Sequence, residues 1–171
     1  TGAKWLLKID DDAYVRVEQF FVSVSDWDDG AVHKEGEAEK KILQVGGIAD
    51  EWPDQDGRWM ELLYPKEKRY PSFPKGAGHA ANRALAAYVV KHADCLAEFQ
   101  GEDTSLAVWM DDAPFEVSMT INTNIDGTSN GNCFQTSAHV IGHNIDDKKM
   151  RSCYAKTESH DAYGYMMKHL R

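Results

Sequence analysis

The chain has 171 residues, with 28 acidic and 19 basic side chains and a formal net charge of −9. That length suits one domain with an ordinary core, and 42% hydrophobic with 11% aromatic residues excludes a disordered tail or a low-complexity filament. The acidic balance argues against a nucleic-acid backbone or an anionic membrane surface as partner, because both need a basic face; a sugar, a nucleotide sugar held through a metal, or another protein remain.

Ala3 to Ile9 is an apolar run that reads as a buried strand, and it stops at Asp10-Asp11-Asp12. Val17, Phe20, Phe21 and Val24 recur at helical spacing and predict a helix from about Arg16 to Ser25. Asp26 to Lys41 is charged and reads as a solvent-exposed excursion. Ile42 to Ile48 reads as a second strand and Trp59 to Leu63 as a third. Tyr64 to Gly78 carries three prolines and two glycines and is expected to be a structured loop. Ala80 to Leu96 is Ala-rich, with Leu85, Tyr88, Val89 and Leu96 to one side, and predicts the clearest helix of the chain. Its segment Ala84 to Val90 is the longest apolar run, far too short to span a bilayer.

Glu102-Asp103-Thr104 opens a further helical segment through Leu106, Trp109 and Met110. Phe115 to Ile121 alternates and reads as a half-buried strand, Asn122 to Asn132 as polar turn, and Phe134 to Ile141 as a final strand before a short helix from Asp146. Interleaved strands and helices favour an α/β class. Thr1 opens the chain without a signal-peptide pattern, and the expectation is a piece of something longer. Cys133 and Cys153 can pair and leave Cys95 as a buried thiol, a choice the residues alone leave open.

Three carboxylates directly after a strand are costly to crowd unless positive charge sits among them. Mg²⁺ or Mn²⁺, which prefer oxygen ligands, would neutralise them; a solvated acidic turn capping the next helix is the bland alternative. In an extended segment Asp10 and Asp12 point one way and Asp11 the other. An EF-hand loop fails here, because its fifth and sixth positions would be Tyr14 and Val15. A second near-match beginning at Asn122 has Cys133 where the bidentate Glu belongs.

Lys4 to Val17, with its Asp10-Asp11-Asp12 triplet, resembles the strand and DDD motif of the β-1,3-galactosyltransferase family (glycosyltransferase family 31). Tyr70-Pro71-Ser72-Phe73-Pro74-Lys75-Gly76-Ala77-Gly78-His79 is similar to its YPxYxxGxGY loop, and Glu102 to Trp109 to its EDVxxGxW motif. Val45-Gly46-Gly47 and Arg58-Trp59 fall where the family has a VG turn and a KW pair. The likeness is close over Lys4 to Met110 and loose beyond. His79, Asn82 and Ala107 depart from the family's Tyr, Ser or Thr, and Gly.

The resemblance implies an α/β fold of GT-A type, second half only, as a mixed sheet flanked by helices. Residues 1–171 would be a partial catalytic domain, with the upstream nucleotide-binding part and membrane anchor absent. It implies an inverting, metal-dependent hexosyltransferase that moves galactose or N-acetylglucosamine from a UDP-sugar to a glycan or glycoprotein acceptor, in the Golgi lumen. By the same likeness, Asp10, Asp12 and His143 would hold Mn²⁺ or Mg²⁺, with His139 the competing ligand. His143 precedes Met150 by a spacing like the family's. Asp103 would be the catalytic base. Asp11, Gly76 and Gly78 would contact the donor, and Trp59, Tyr70, Phe73 and Glu102 the acceptor. A non-catalytic carbohydrate-binding or scaffold protein derived from such an enzyme is the alternative. The fragment by itself is expected to be inactive.

Overall fold

The computed structural model describes residues 2–28, 38–75, 77–125, 131–134, 136 and 138–157. In chain order these form β1 (Trp5–Ile9), β2 (Tyr14–Val15), α1 (Val17–Val24), β3 (Lys41–Val45), β4 (Ile48–Ala49) and β5 (Phe73–Pro74). There follow β6 (Gly78–Asn82), α2 (Arg83–His92), a single 3-10 turn at Ala93–Cys95, α3 (Glu102–Asp111), β7 (Val117–Ile121) and β8 (Ile141–Gly142). A last helix, α4, spans 147–157. Four strands make one mixed sheet in the order β1-β6-β3-β7, antiparallel except for the parallel β3–β7 pair. The α/β class, a mixed sheet flanked by helices, stands as expected.

Alternation along the strands divides the core between two faces of this sheet. Leu43, Val45 and Ala81 face α2 and α3, where Leu85 and Leu106 close over them. Ala80 faces the other way, with Trp5, Leu7 and Ile9, against Ile125, Val140 and Ile141. Phe20 of α1 and Trp27 join that second layer through edge-on contacts, Trp27 standing 5.0 Å from Trp5 and 5.8 Å from Phe20. Trp27 is thus a packing residue within the stretch read as a solvent-exposed excursion. Residues 29–37 of that stretch lie outside the described residues.

The largest departure from the sequence reading is at Ala80 to Leu96. Helical propensity predicts a helix from Ala80, yet Gly78–Asn82 form the central strand β6, and the helix starts only at Arg83. Small side chains let this strand sit between two neighbours. A Cβ on Gly78 would stand 2.5 Å from the Lys8 backbone oxygen and 3.1 Å from Ile141. Asn82 marks the switch. Its side-chain oxygen accepts from Leu85 N as the helix N-cap and from Ile42 N of β3, while its amide donates to Lys40 O. The two backbone pairings outweigh the local preference of an Ala-rich segment.

Three other readings are corrected. Trp59 to Leu63 is not a strand: it lies in a turn whose β pairing, among the described residues, is one isolated bridge from Asp54 to Met60, with Trp59, Leu62 and Leu63 exposed. Among the described residues of the expected final strand from Phe134 to Ile141, only Ile141 is in a strand, the two-residue β8 that ends at Gly142, because β2 offers it just two residues. Finally, β1 is half-buried rather than buried, since Leu6 on its outer edge is 54% exposed.

His79 occupies the middle of the sheet, between Lys8 of β1 and Val45 of β3. Burial, helped by the Lys8 charge, pushes its pKa down to about 4, so it is neutral at pH 7. An unfolded chain regains an ordinary imidazole near 6.5 and binds the extra proton between the two values. This contribution to stability is therefore complete above pH ~6.5 and falls by about 3 kcal/mol as pH drops to ~4. Urea unfolding at about pH 7.5 and about pH 5 should show about 2 kcal/mol of that loss in the wild type and a flatter dependence in His79→Gln. Equal slopes would mean that another group carries the acid sensitivity.

Candidate functional site

At the end of β1, Asp10 N donates to Ala77 O at 3.1 Å, and Ala13 N donates to Asp10 O at 3.2 Å. The chain thus turns tightly over Asp11 and Asp12 before entering β2. Tyr14 and Val15 then pair with Gly142 and Ile141, and Ile145 N donates to Asp12 O at 2.9 Å. These bonds deliver His143, the residue just after β8, to the aspartate turn. Gly142 is needed there, since a Cβ would stand 2.4 Å from Cys133 O and 2.5 Å from Asn132 O. Asn144 follows with φ of 56°, a left-handed conformation that Asn tolerates better than most residues, and it turns the chain away.

His143 Nε2 lies 3.4 Å from Asp12 Oδ1 and 3.7 Å from Asp10 Oδ2. One ligand atom from each of Asp10, Asp12 and His143 falls within 4.8 Å of the others, a spacing that a single cation can bridge. Two carboxylate oxygens with one imidazole suit Mn²⁺ well and Mg²⁺ acceptably. His143 Nδ1 has the Asn144 side-chain amide 3.4 Å away, on the side opposite the carboxylates. Asp11 is exposed and outside this group. His139 is buried, its backbone oxygen accepting from the Arg16 guanidinium at 3.3 Å, and it too is outside the group.

A cation that the sequence reading overlooked already sits here. The Lys8 ammonium donates to Asp10 and to Glu102, joining the aspartate turn to the first residue of α3. Burial opposes its charge, but the bonds to Asp10 and Glu102 outweigh that and raise its pKa. The signal was available: Lys8 is two residues before Asp10 in a strand, hence on the same face.

Glu102 and Asp103 form the acidic first turn of α3. Asp103 Oδ1 accepts from Thr104 N at 2.8 Å, and the bare Gly101 leaves it room, since a Cβ there would come within 2.7 Å of that oxygen. A helix N-terminus by itself favours the ionised carboxylate. Instead its pKa is raised, first by burial and then by the Glu102 charge, against the bond from Thr104.

A sequence model of the family described as Galactosyltransferase matches residues 1–121. The chain belongs to that galactosyltransferase family. Among its relatives, the UDP-GalNAc:beta-1,3-N-acetylgalactosaminyltransferase 2 of Homo sapiens is 31% identical over 111 residues, 64% of this chain and 20% of the relative. The protein of the same name from Xenopus tropicalis is 29% identical over 64% of this chain and 21% of its own. That of Danio rerio is 30% identical over 61% and 20%. The chain spans about a fifth of the length of these curated relatives.

Within this galactosyltransferase-family domain, the residues assigned to the acceptor do not share one environment. Trp59 is 56% exposed, but Arg58 covers its ring at 4.6 Å. Tyr70 is half-buried, packed against Tyr64 at 4.6 Å and edge-on to Phe73 at 6.0 Å. Burial, with Glu61 adjacent, pushes its pKa up to about 12. Phe73 is buried with Ala49 and Ala107, so packing occupies its ring and leaves no open face for a sugar. Gly78 is spent on the close approach of β6 to β1, as described above, and Gly76 lies outside the described residues.

Cys133 and Cys153 are bonded, and Cys95 is exposed rather than buried. The bond closes a 20-residue separation with His143 at its midpoint, and packs with Tyr14 and Ile145. Tyr14 OH donates to Thr157 of α4 at 2.8 Å, so α4 braces the same unit. Closing such a loop is worth about 3 kcal/mol against the unfolded chain. The Cys133→Ser, Cys153→Ser double variant should keep its sheet but free His143 from the aspartate turn. Calorimetric titration should then show Mn²⁺ affinity lowered about tenfold or more. Unchanged affinity would show that β2–β8 pairing alone holds the histidine.

Proposed function

We propose that this domain carries the metal and acceptor side of an inverting glycosyltransferase. It moves a hexose or N-acetylhexosamine from a UDP-sugar to a hydroxyl of a glycan acceptor, in β-1,3 linkage. The observation that carries this reading is the convergence of Asp10, Asp12 and His143, tied through Lys8 to Glu102 beside Asp103, in a chain of this family. The relatives' name favours N-acetylgalactosamine over the galactose or N-acetylglucosamine that the sequence resemblance implies.

Asp10, Asp12 and His143 hold Mn²⁺ or Mg²⁺ in this reading. When bound there, such a cation would supply the positive charge that neutralises a diphosphate leaving group. Lys8 keeps Asp10 turned to one side and prevents the carboxylates from repelling one another. Asp103 accepts the proton of the acceptor hydroxyl as its oxygen bonds to the anomeric carbon and the bond to UDP breaks. Oδ1 is held by Thr104 N, which leaves Oδ2 to take the proton. A raised pKa makes this carboxylate a stronger base than a solvated aspartate. Asp11 is left for the donor, and Glu102, Trp59 and Tyr70 for the acceptor. The disulfide suits an oxidising compartment such as the Golgi lumen.

Two measurements on the full-length protein test this. Asp12→Asn should abolish metal-dependent UDP binding; UDP affinity indifferent to both the substitution and a chelator would sink the metal role. Asp103→Asn should lower kcat about 10²–10⁴-fold while UDP binding survives. Glu102→Gln removes a neighbouring negative charge and lowers the Asp103 pKa. The acid limb of kcat/KM should therefore move to lower pH in that variant, and an unmoved limb would assign it to another group.

A further inference from the structure

The excursion between β4 and β5 has little regular structure, yet it contains the most buried charged side chain among the described residues. Glu61 is 2% exposed. Its Oε1 accepts from Leu63 N at 2.6 Å and Tyr64 N at 3.3 Å, and its Oε2 from Gln100 N at 2.8 Å, with Tyr70 OH at 3.5 Å. Burial alone would raise the pKa of this carboxylate, but the backbone donors of Gln100, Leu63 and Tyr64 outweigh it and hold it below the ordinary value. Glu61 is therefore a buried anion held by the backbone N–H groups of Leu63, Tyr64 and Gln100.

What it joins is informative. Leu63, Tyr64 and Tyr70 belong to the excursion. Gln100 immediately precedes Gly101, the N-cap of α3, whose next residues are Glu102 and Asp103. The same junction has Tyr64 edge-on to Phe99 at 5.4 Å, and Gln100 Nε2 donating to Arg58 O at 3.5 Å. Just beyond it, Ser105 Oγ and Thr104 Oγ1 both donate to Gly101 O, at 2.7 and 2.9 Å. The aspartate turn is joined to the first residue of α3 through Lys8, which bonds Asp10 and Glu102.

We propose that Glu61 is a positioning residue: its buried carboxylate locks the Trp59–Tyr70 segment onto Gln100 and so sets where the first turn of α3 presents Asp103. This deepens the transfer reading above and rests on it. Glu61→Gln keeps the volume but turns an amide NH₂ toward one set of backbone donors, leaving a buried N–H without an acceptor. Glu61→Asp retracts the carboxylate by one methylene and gives up either Gln100 or the Leu63–Tyr64 pair.

The test uses the full-length protein. In both variants amide exchange at Gln100 and Thr104 should accelerate, while that of Leu43 and Val45 in the sheet stays as in wild type. Transfer should fall about 10²-fold in kcat/KM for the acceptor, with the Kd for UDP and Mn²⁺ unchanged. A variant that transfers at the wild-type rate overturns the positioning role alone. Parallel loss of UDP binding and of exchange protection throughout the sheet would overturn it too, by making Glu61 a general stability residue. Wild-type protein that transfers no sugar would instead sink the proposed function, and the positioning role with it.

Discussion

The Lys8 ammonium between Asp10 and Glu102 is the contact on which the site depends. Five carboxylates belong to the aspartate turn and the start of α3, and like charges so close would push those segments apart or protonate. A strand supplies the cation because alternation puts Lys8 on the face that Asp10 continues. Its four-carbon stem crosses from the sheet to the helix and holds the turn and the helix end in one place. In the proposed reading, a divalent metal would then have to satisfy the carboxylate oxygens of Asp10 and Asp12 nearest His143.

That arrangement in turn requires β1 and β6 to lie close. Gly78 removes the side chain that would strike the Lys8 backbone, and Ala80 and Ala81 keep β6 slim between β1 and β3. His79, uncharged at neutral pH, fills the remaining position beside Lys8 without adding a second positive charge. Its place in the sheet gives a physical meaning to the departure from the family's Tyr. Asn82, another departure, serves a capping role that Ser or Thr can fill, and adds a bond to β3 that a hydroxyl is too short to make in the same way.

The two halves of the site are stabilised differently. His143 reaches the aspartates from a segment with little regular structure, held by two β2–β8 pairs, one disulfide and a glycine pressed on the Cys133 backbone. Asp103 stands on a helix packed into the core through Leu106 and Ala107, and that helix is braced from outside by a buried carboxylate. Hydrogen bonds to a charged acceptor are the stronger kind, and a buried one that lacks its donors is costly, so Glu61 holds the excursion in a single arrangement.

The sequence by itself determined the α/β class, the strand ending in Asp10-Asp11-Asp12, the helices beginning at Val17 and Glu102, and the family, because each is written in local periodicity or in contiguous motif residues. It left open the Cys133–Cys153 pairing and whether Phe73 is exposed, and it misread Ala80 as the start of a helix and Trp59 to Leu63 as a strand. Those depend on what lies opposite in space. An alanine run becomes a strand only when two neighbouring backbones bond to it. A phenylalanine is surface or core according to whether α3 covers it. Lys8 and Glu61 are ordinary charged residues in the sequence, and only the tertiary structure brings each against its partners, Glu102 from 94 positions away and Gln100 from 39.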